Sequence, residues 1–318
     1  MPKKTYVQAL AEAMAEEFER DERVFCMATT PPQDLLTRFG PTRARRIPIS
    51  EAASTGLAVG AAACGYRPVV IWRNITFAFV AMDQVVNQAS KIRYMFGGQA
   101  TVPIVFRAYS GGGLRLGAQH SQSPYSMYMH VPGLKVVAPS TPADAKGLLK
   151  SAIRDDNPVV SLECSRLDPL EDDVPDGDVT VPLGVAGVKR VGTDVTVIAV
   201  GYMVHLALAA AEELAKDGAS VEVVDPRTLV PLDHETIRKS VHKTGRVVIV
   251  DEAPPTCSAA AEIATVIVED ADTFARLKTH VRRVCAANAP VPYSPPLEDY
   301  VLPDQARVLT AVRATLDA

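Results

Sequence analysis

Short runs of β-branched and aliphatic residues recur along this chain with room for one helix between successive runs, and that alternation restricts the fold more than any other feature. In the first half, Val24-Phe25-Cys26-Met27, Pro68-Val69-Val70-Ile71-Trp72, Val102 to Arg107, Leu134-Lys135-Val136-Val137-Ala138 and Val159-Val160-Ser161-Leu162 read as strands. Helical spacing appears from Tyr6 to Glu19, with Val7, Leu10, Met14 and Phe18 on one face, from Met82 to Tyr94, and from Pro142 to Ile153. The second half repeats the scheme. Strands at Val195 to Val200, Val221 to Val224 and Val247 to Val250 alternate with helices at Val204 to Lys216, Asp233 to Lys243 and Ala259 to Val268, and a last helix starts near Asp304. Continuous apolar strands separated by helices imply mainly parallel sheets covered on both faces, the α/β class. Between the halves, Asp168 to Val181 is acidic, rich in Pro and Gly and aperiodic, which reads as a linker. The expected domains are therefore residues 1–187, with the linker at the end, and 188–318.

A length of 318 residues gives each domain a core of its own. The net charge of −4, with Lys and Arg interspersed, makes no basic face and excludes nucleic acid as a partner. Five cysteines, Cys26, Cys64, Cys164, Cys257 and Cys285, have neither zinc nor disulfide spacing and read as buried thiols of a reducing compartment. No signal peptide or membrane-spanning run is evident, so the expectation is a soluble, cytoplasmic protein. Arg43-Ala44-Arg45-Arg46 reads as a solvated basic loop.

The stretch from Ile47 to Asp83 places one acid, Glu51, against the small-residue run Ser54 to Gly65. A carboxylate beside such a surface is poorly hydrated and needs a partner or a proton. Taken alone, Glu51 fits a helix cap, with Ser50 as N-cap and the acid in the first turn. Phe77 alone reads as core packing, and His120 as a loop histidine. Gly111-Gly112-Gly113, followed by Leu114 to Ser123, reads as a mobile loop that orders around a ligand. His130 and His205 read as structural, and Asp155-Asp156-Asn157 as a plain helix-to-strand turn.

Taken together, several segments resemble one family along nearly the whole chain. They are Pro48-Ile49-Ser50-Glu51-Ala52, Ala81-Met82-Asp83-Gln84, Arg93 to Gly98, Gln119-His120-Ser121-Gln122, Pro132 to Val137 and Pro139 to Leu148, followed by Val224-Asp225-Pro226-Arg227-Thr228, Asp251-Glu252-Ala253, Val291-Pro292-Tyr293 and Leu297-Glu298-Asp299. Their order is that of the beta subunit of the thiamine-diphosphate-dependent first component of 2-oxo acid dehydrogenase complexes, in the transketolase superfamily. Arg93 to Gly98 and Asp251 to Ser258 look closest to its acetoin-cleaving branch. The resemblance implies a pyrimidine-binding domain followed by a transketolase-type C-terminal domain. It also implies that Glu51 hydrogen-bonds the aminopyrimidine ring of thiamine diphosphate and so favours the tautomer that takes the thiazolium proton. Phe77 would stack on that ring, and His120 would assist the substrate or the incoming lipoyl group. Oxygens of Ile104, Ala152, Ile153, Asp155 and Asn157 align with a potassium site of some members.

A diphosphate cofactor needs Mg2+, which the superfamily holds with a Gly-Asp-Gly segment and a following asparagine. This chain has none, so an alpha subunit must supply the ligands, within an α2β2 heterotetramer that passes acyl groups to a lipoyl acyltransferase core. The chain also departs from the family. Ala28-Thr29-Thr30-Pro31-Pro32 replaces a Gly-Glu-Asp segment, and Ile71 and Thr76 stand where relatives often carry acids. Thr29 removes a glutamate from an acidic path proposed to join two active sites. Three readings remain at this level: a 2-oxo acid or acetoin dehydrogenase subunit, a subunit of a two-chain carboligase or transketolase-like synthase, and a non-catalytic structural subunit.

Overall fold

The computed structural model describes residues 1–318 and divides into two compact units. The first comprises Met1–Ser110 and Met127–Leu183; the second comprises Gly111–Ser126 and Gly184–Ala318. The glycine-rich segment thus belongs with the second half of the chain, although its sequence lies within the first.

In chain order the first unit begins with β1 (Lys3–Thr5), α1 (Tyr6–Arg20), β2 (Val24–Ala28), α2 (Gln33–Phe39), β3 (Ala44–Arg46), α3 (Glu51–Ala63) and β4 (Arg67–Asn74). A 3₁₀ turn (Ile75–Ala81) and a π-helical turn (Asp83–Ala89) lead into α4 (Ser90–Met95) and β5 (Val105–Ser110). After α5 (Tyr125–Met129) come β6 (Lys135–Val137), α6 (Pro142–Arg154), β7 (Val159–Cys164) and β8 (Glu171–Asp173). The main sheet has the order β6-β7-β5-β4-β2-β3, and each adjacent pair is parallel. Every residue of β2 and β7 is buried, as a strand covered on both faces requires.

Two expectations change here. The basic run is not a solvated loop, because Ala44 to Arg46 pair with β2 as a parallel edge strand. Arg43 lies over the Phe18 ring at 4.8 Å and donates to the carbonyls of Phe18, Asp21 and Val24 at 2.8–3.0 Å. Nor is the acidic segment a free linker. Glu171 to Asp173 pair antiparallel with β1, Asp176 meets Lys4 at 3.0 Å, and Asp178 meets Lys150 at 2.9 Å. Val181 N donates to Gly147 O at 3.1 Å, and a side chain at Gly147 would meet Val181 Cγ2 at 2.5 Å. Aperiodic sequence hid these contacts because long-range ion pairs, with Lys146 and Lys150 buried between α1 and α6, hold the segment instead of apolar spacing.

The second unit contains β9 (Gly187–Arg190), β10 (Val195–Ala199), α7 (Met203–Lys216), β11 (Val221–Asp225), β12 (Thr228–Val230), α8 (His234–Thr244) and β13 (Val247–Asp251). It ends with α9 (Ala259–Val268), α10 (Ala271–Arg276), β14 (Arg282–Cys285), α11 (Pro295–Val301) and α12 (Gln305–Leu316). Its sheet runs β14-β13-β10-β11-β9, with only β9 antiparallel to its neighbour. Val195, Val197 and Ala199 face α7 and α12, whose Met203, Ala207, Val308 and Val312 complete one core. Thr196, of opposite parity, donates to Ser240 O of α8 at 3.1 Å, so helices cover both faces. No helix is long and apolar enough to cross a membrane. Of the five thiols, Cys26, Cys164 and Cys285 are buried, whereas Cys64 and Cys257 are exposed.

Candidate active site

In a parallel sheet, ligand sites gather beyond the carboxyl ends of the strands. Four segments of the first unit leave that edge: Thr29-Thr30 after β2, Glu51 after β3, Phe77 after β4 and Tyr109-Ser110 at the end of β5. Glu51 opens α3 but is not held there by a cap, since Ser50 makes no side-chain capping bond. Its carboxylate is half-buried and makes no hydrogen bond or ion pair within the chain; only its backbone carbonyl is used, by Ser54 Oγ at 3.2 Å. One turn along α3, Thr55 Oγ1 is buried and also without a partner. Unmet polar groups at the rim of an apolar helix cost free energy unless something hydrogen-bonds them.

Phe77 lies half-buried in the 3₁₀ turn, which packs against α3. Asn74, at the end of β4, fixes that turn: its side-chain oxygen accepts Thr76 N at 3.1 Å and Thr76 Oγ1 at 2.8 Å. The expected helix from Met82 is wound as a π turn over Asp83–Ala89, with Asn87 Nδ2 donating to Asp83 Oδ1 at 2.8 Å. Gln84 packs toward α3, its Cγ 3.4 Å from where a Cβ of Gly56 would stand, and its buried Oε1 lacks a partner. An extra residue per turn is often found where a helix serves a site. Glu51, Phe77, Thr55 and Gln84 therefore all lie on α3 or on the turns packed against it.

Behind this edge, Arg107 of β5 and Glu163 of β7 form a bidentate pair at 2.7 and 2.8 Å. Asp168 follows β7. Burial raises its carboxyl to about 6, against the hydrogen bond from Tyr109, and its Oδ1 has no partner. A carboxyl whose folded value lies above its ordinary 3.8 is bound more tightly by its proton in the folded state, so stability falls as pH rises from there to about 6. Asp168→Asn is expected to raise the melting temperature relative to the parent above pH 6 and to match it below pH 4; thermal melts across that range check this.

His120 belongs to the second unit, apart from Glu51 and Phe77 in the first. It closes the 3₁₀ turn Ala118–His120 and is half-buried. The loop before it is not a free strand of glycines. Gly111 N donates to Gln122 O at 2.9 Å, closing the segment into a compact loop. Glu252 and Glu298, which the sequence showed only within family motifs and without a role, bind its amides. His130 lies exposed just beyond α5, and His205 lies on α7 beside Tyr202.

Ile104, Ala152, Ile153, Asp155 and Asn157 are neighbours, and their oxygens accept hydrogen bonds within the chain. Arg67 Nη1 donates to the carbonyls of Ile153 and Asp155 at 3.0 and 3.1 Å. Val159 N uses Ile104 O at 2.9 Å, and Asp155 N uses Ala152 O at 3.3 Å. The Asp155 carboxylate is bound by Lys135 and Asn157, and Asn157 Oδ1 accepts from Arg93 Nη1 at 2.7 Å. Arg67 and Lys135 thus place positive charge beside this carbonyl cluster. No group of three or more His, Cys, Asp or Glu side chains is arranged to hold a metal.

Residues 2–167 match the transketolase pyrimidine binding domain and residues 184–308 the transketolase C-terminal domain. An acetoin:2,6-dichlorophenolindophenol oxidoreductase subunit beta of Cupriavidus necator is 49% identical over 85% of this chain and 79% of its own. A pyruvate dehydrogenase E1 component subunit beta of Rickettsia felis is 44% identical over 97% of both chains. A solved structure described as a split gene transketolase, inactive beta4 tetramer, shares the fold with a TM-score of 0.81, covering 98% of both chains at 23% identity. With both domain models matched in order and relatives of this identity along its length, the chain belongs to the transketolase-like family, in the group that contains the beta subunits of acetoin oxidoreductases and of the pyruvate dehydrogenase first component.

Proposed function

We propose that this chain is the beta subunit of a thiamine-diphosphate-dependent 2-oxo acid or acetoin dehydrogenase. The observation that carries the reading is Glu51, a half-buried carboxylate without a partner of its own, at the carboxyl edge of a pyrimidine-binding domain. Thiamine diphosphate, when bound, supplies the carbon nucleophile that cleaves a bond next to a carbonyl. Glu51 would hold a proton shared with a ring nitrogen of the pyrimidine, where the apolar α3 excludes competing water. Phe77 would offer a flat face to the ring, with Asn74 fixing the turn that carries it. His120 is the proton-transfer group of the second unit and would serve the substrate or the acyl acceptor.

Mg2+ and the diphosphate would be held by an alpha subunit in an α2β2 assembly, since this chain lacks the Gly-Asp-Gly segment and following asparagine that the superfamily uses for them. Cytoplasmic location and acyl transfer to a lipoyl acyltransferase core complete the reading. Two relatives with acetoin in their names, in Cupriavidus necator and Bacillus subtilis, are oxidoreductase beta subunits, which makes acetoin the first substrate to test. The chain co-purified with its alpha subunit is expected to reduce a dye acceptor with acetoin or a 2-oxo acid, and to require added thiamine diphosphate and Mg2+. Formation of an acyloin from an added aldehyde, with no reduction of dye or lipoamide, would replace the dehydrogenase reading by the carboligase one. Phe77→Ala is expected to weaken cofactor binding about 2- to 10-fold, as loss of one aromatic contact of ~0.5–1.5 kcal/mol implies; calorimetric titration of the same pair measures it.

A further inference from the structure

Three motifs of the second half, Asp251-Glu252-Ala253, Val291-Pro292-Tyr293 and Leu297-Glu298-Asp299, have no role in the chemistry assigned to Glu51, Phe77 and His120. All three meet the glycine loop. Gly112 N donates to Glu252 Oε1 at 2.5 Å. Gly113 N donates to Glu298 Oε1 at 2.7 Å, while Arg115 donates to Glu298 Oε2 from its amide at 3.1 Å and from Nη1 at 2.8 Å. Arg115 also reaches Asp299 at 2.8 Å and the Pro295 carbonyl at 3.0 Å. A Cβ on Gly117 would touch Tyr293 Cδ2 at 3.4 Å.

The carboxylates are themselves fixed. Glu298 is fully buried on α11, and Glu252 is 4% exposed. Asp251, the residue before Glu252, accepts Ala253 N at 3.0 Å and Ala260 N at 3.1 Å, locking the turn from which Glu252 projects. The close approach also explains the glycines. A Cβ at Gly111 would lie 2.9 Å from Glu252 Oε1, and one at Gly112 would lie 2.9 Å from Leu302 Cδ1. Gly111 and Gly113 have φ of 90° and 95°, and Arg115, with φ of 60°, is held in the left-handed region by its bonds to Glu298. Amides that converge on a carboxylate form charge-assisted bonds, stronger than neutral ones.

We propose that Glu298, assisted by Glu252, is the positioning residue of the histidine loop: it sets the backbone of Gly112 to Arg115 and thereby the place of His120 five residues on. This deepens the reading of His120 given above and rests on it for its catalytic consequence, but not for its structural one. The C-terminal domain then serves as the template for a loop encoded in the other half of the sequence.

Hydrogen exchange of the intact alpha–beta assembly, followed by mass spectrometry, separates the two. In Glu298→Ala, amides of residues 111–118 are expected to exchange at least 10-fold faster, with those of β10 and β13 unchanged. Glu298→Gln keeps an acceptor for Gly113 N but loses the charge pair with Arg115, and is expected to fall between. Arg115→Ala keeps both glycine amides bonded and guards against a failure of Glu298→Ala to fold. In steady-state assays, Glu298→Ala is expected to lower kcat about as much as His120→Ala, to displace the pH profile in the same direction, and to leave thiamine diphosphate affinity unchanged. Loop exchange at the parental rate in Glu298→Ala would overturn the anchor. A loosened loop with parental kcat and pH profile would overturn its link to His120. If His120→Ala itself turns over normally, the catalytic reading of His120 fails, and the exchange rates alone decide the anchor.

Discussion

Glu51→Gln is expected to abolish most turnover of the alpha–beta assembly, by ~10²–10⁴-fold, the usual worth of positioned acid–base assistance. The side chain stays the same size and remains a hydrogen-bonding amide, so cofactor binding should change far less than kcat. The same substitution should cost little stability, about 0.3–1 kcal/mol, because the carboxylate is half-buried, makes no hydrogen bond or ion pair in this chain and gives up only its attraction to the helix N-terminus. A residue whose removal costs function and not stability is held in place for its chemistry. Steady-state kinetics and thermal melts on one preparation test both halves. Equal losses in the two would return Glu51 to a structural role, and full activity would support the non-catalytic reading of the subunit.

The second large effect is on stability. Glu163 is 2% exposed and faces Arg107 through two hydrogen bonds, with Ser161 Oγ donating to the same carboxylate at 3.3 Å. Glu163→Ala strands a buried guanidinium between β5 and β7, which costs ~3–5 kcal/mol when one member of a buried pair is removed. The strands lie at the centre of the first sheet, so the loss should appear as a lower denaturation midpoint with little change in slope. Replacing both residues, Arg107→Met with Glu163→Leu, removes the stranded charge and is expected to recover most of the loss. Urea unfolding of the three variants checks the order. A double variant no more stable than Glu163→Ala would show that the pair does more than satisfy itself.

The sheets were legible because buried parallel strands are written as unbroken apolar runs, and those at Val69, Val159, Val197 and Val248 need no context. Short edge strands were not. Ala44 to Arg46 carries two exposed arginines, and Glu171 to Asp173 is entirely acidic and exposed, so neither shows the apolar run that marks a buried strand. The beginning of β5 moved to Val105 because Pro103 has no amide to give a neighbouring strand. At the site, Glu51, Phe77 and His120 stood out only through family resemblance, since a carboxylate, a phenylalanine and a histidine each have commoner structural uses. Glu252 and Glu298 could have been found as acids in motifs shared with the family that had no assigned task. Their target lies 140 and 185 residues away in sequence, beyond any local pattern.

The most direct test of the account is a titration of thiamine diphosphate with Mg2+ into this chain alone and into the chain assembled with its alpha subunit, read by calorimetry. The account predicts saturable binding by the pair, weakened by Phe77→Ala, and no binding by the isolated chain. A pair that assembles but takes up no cofactor would contradict it, and would leave Glu51 a carboxylate without a ring to hold.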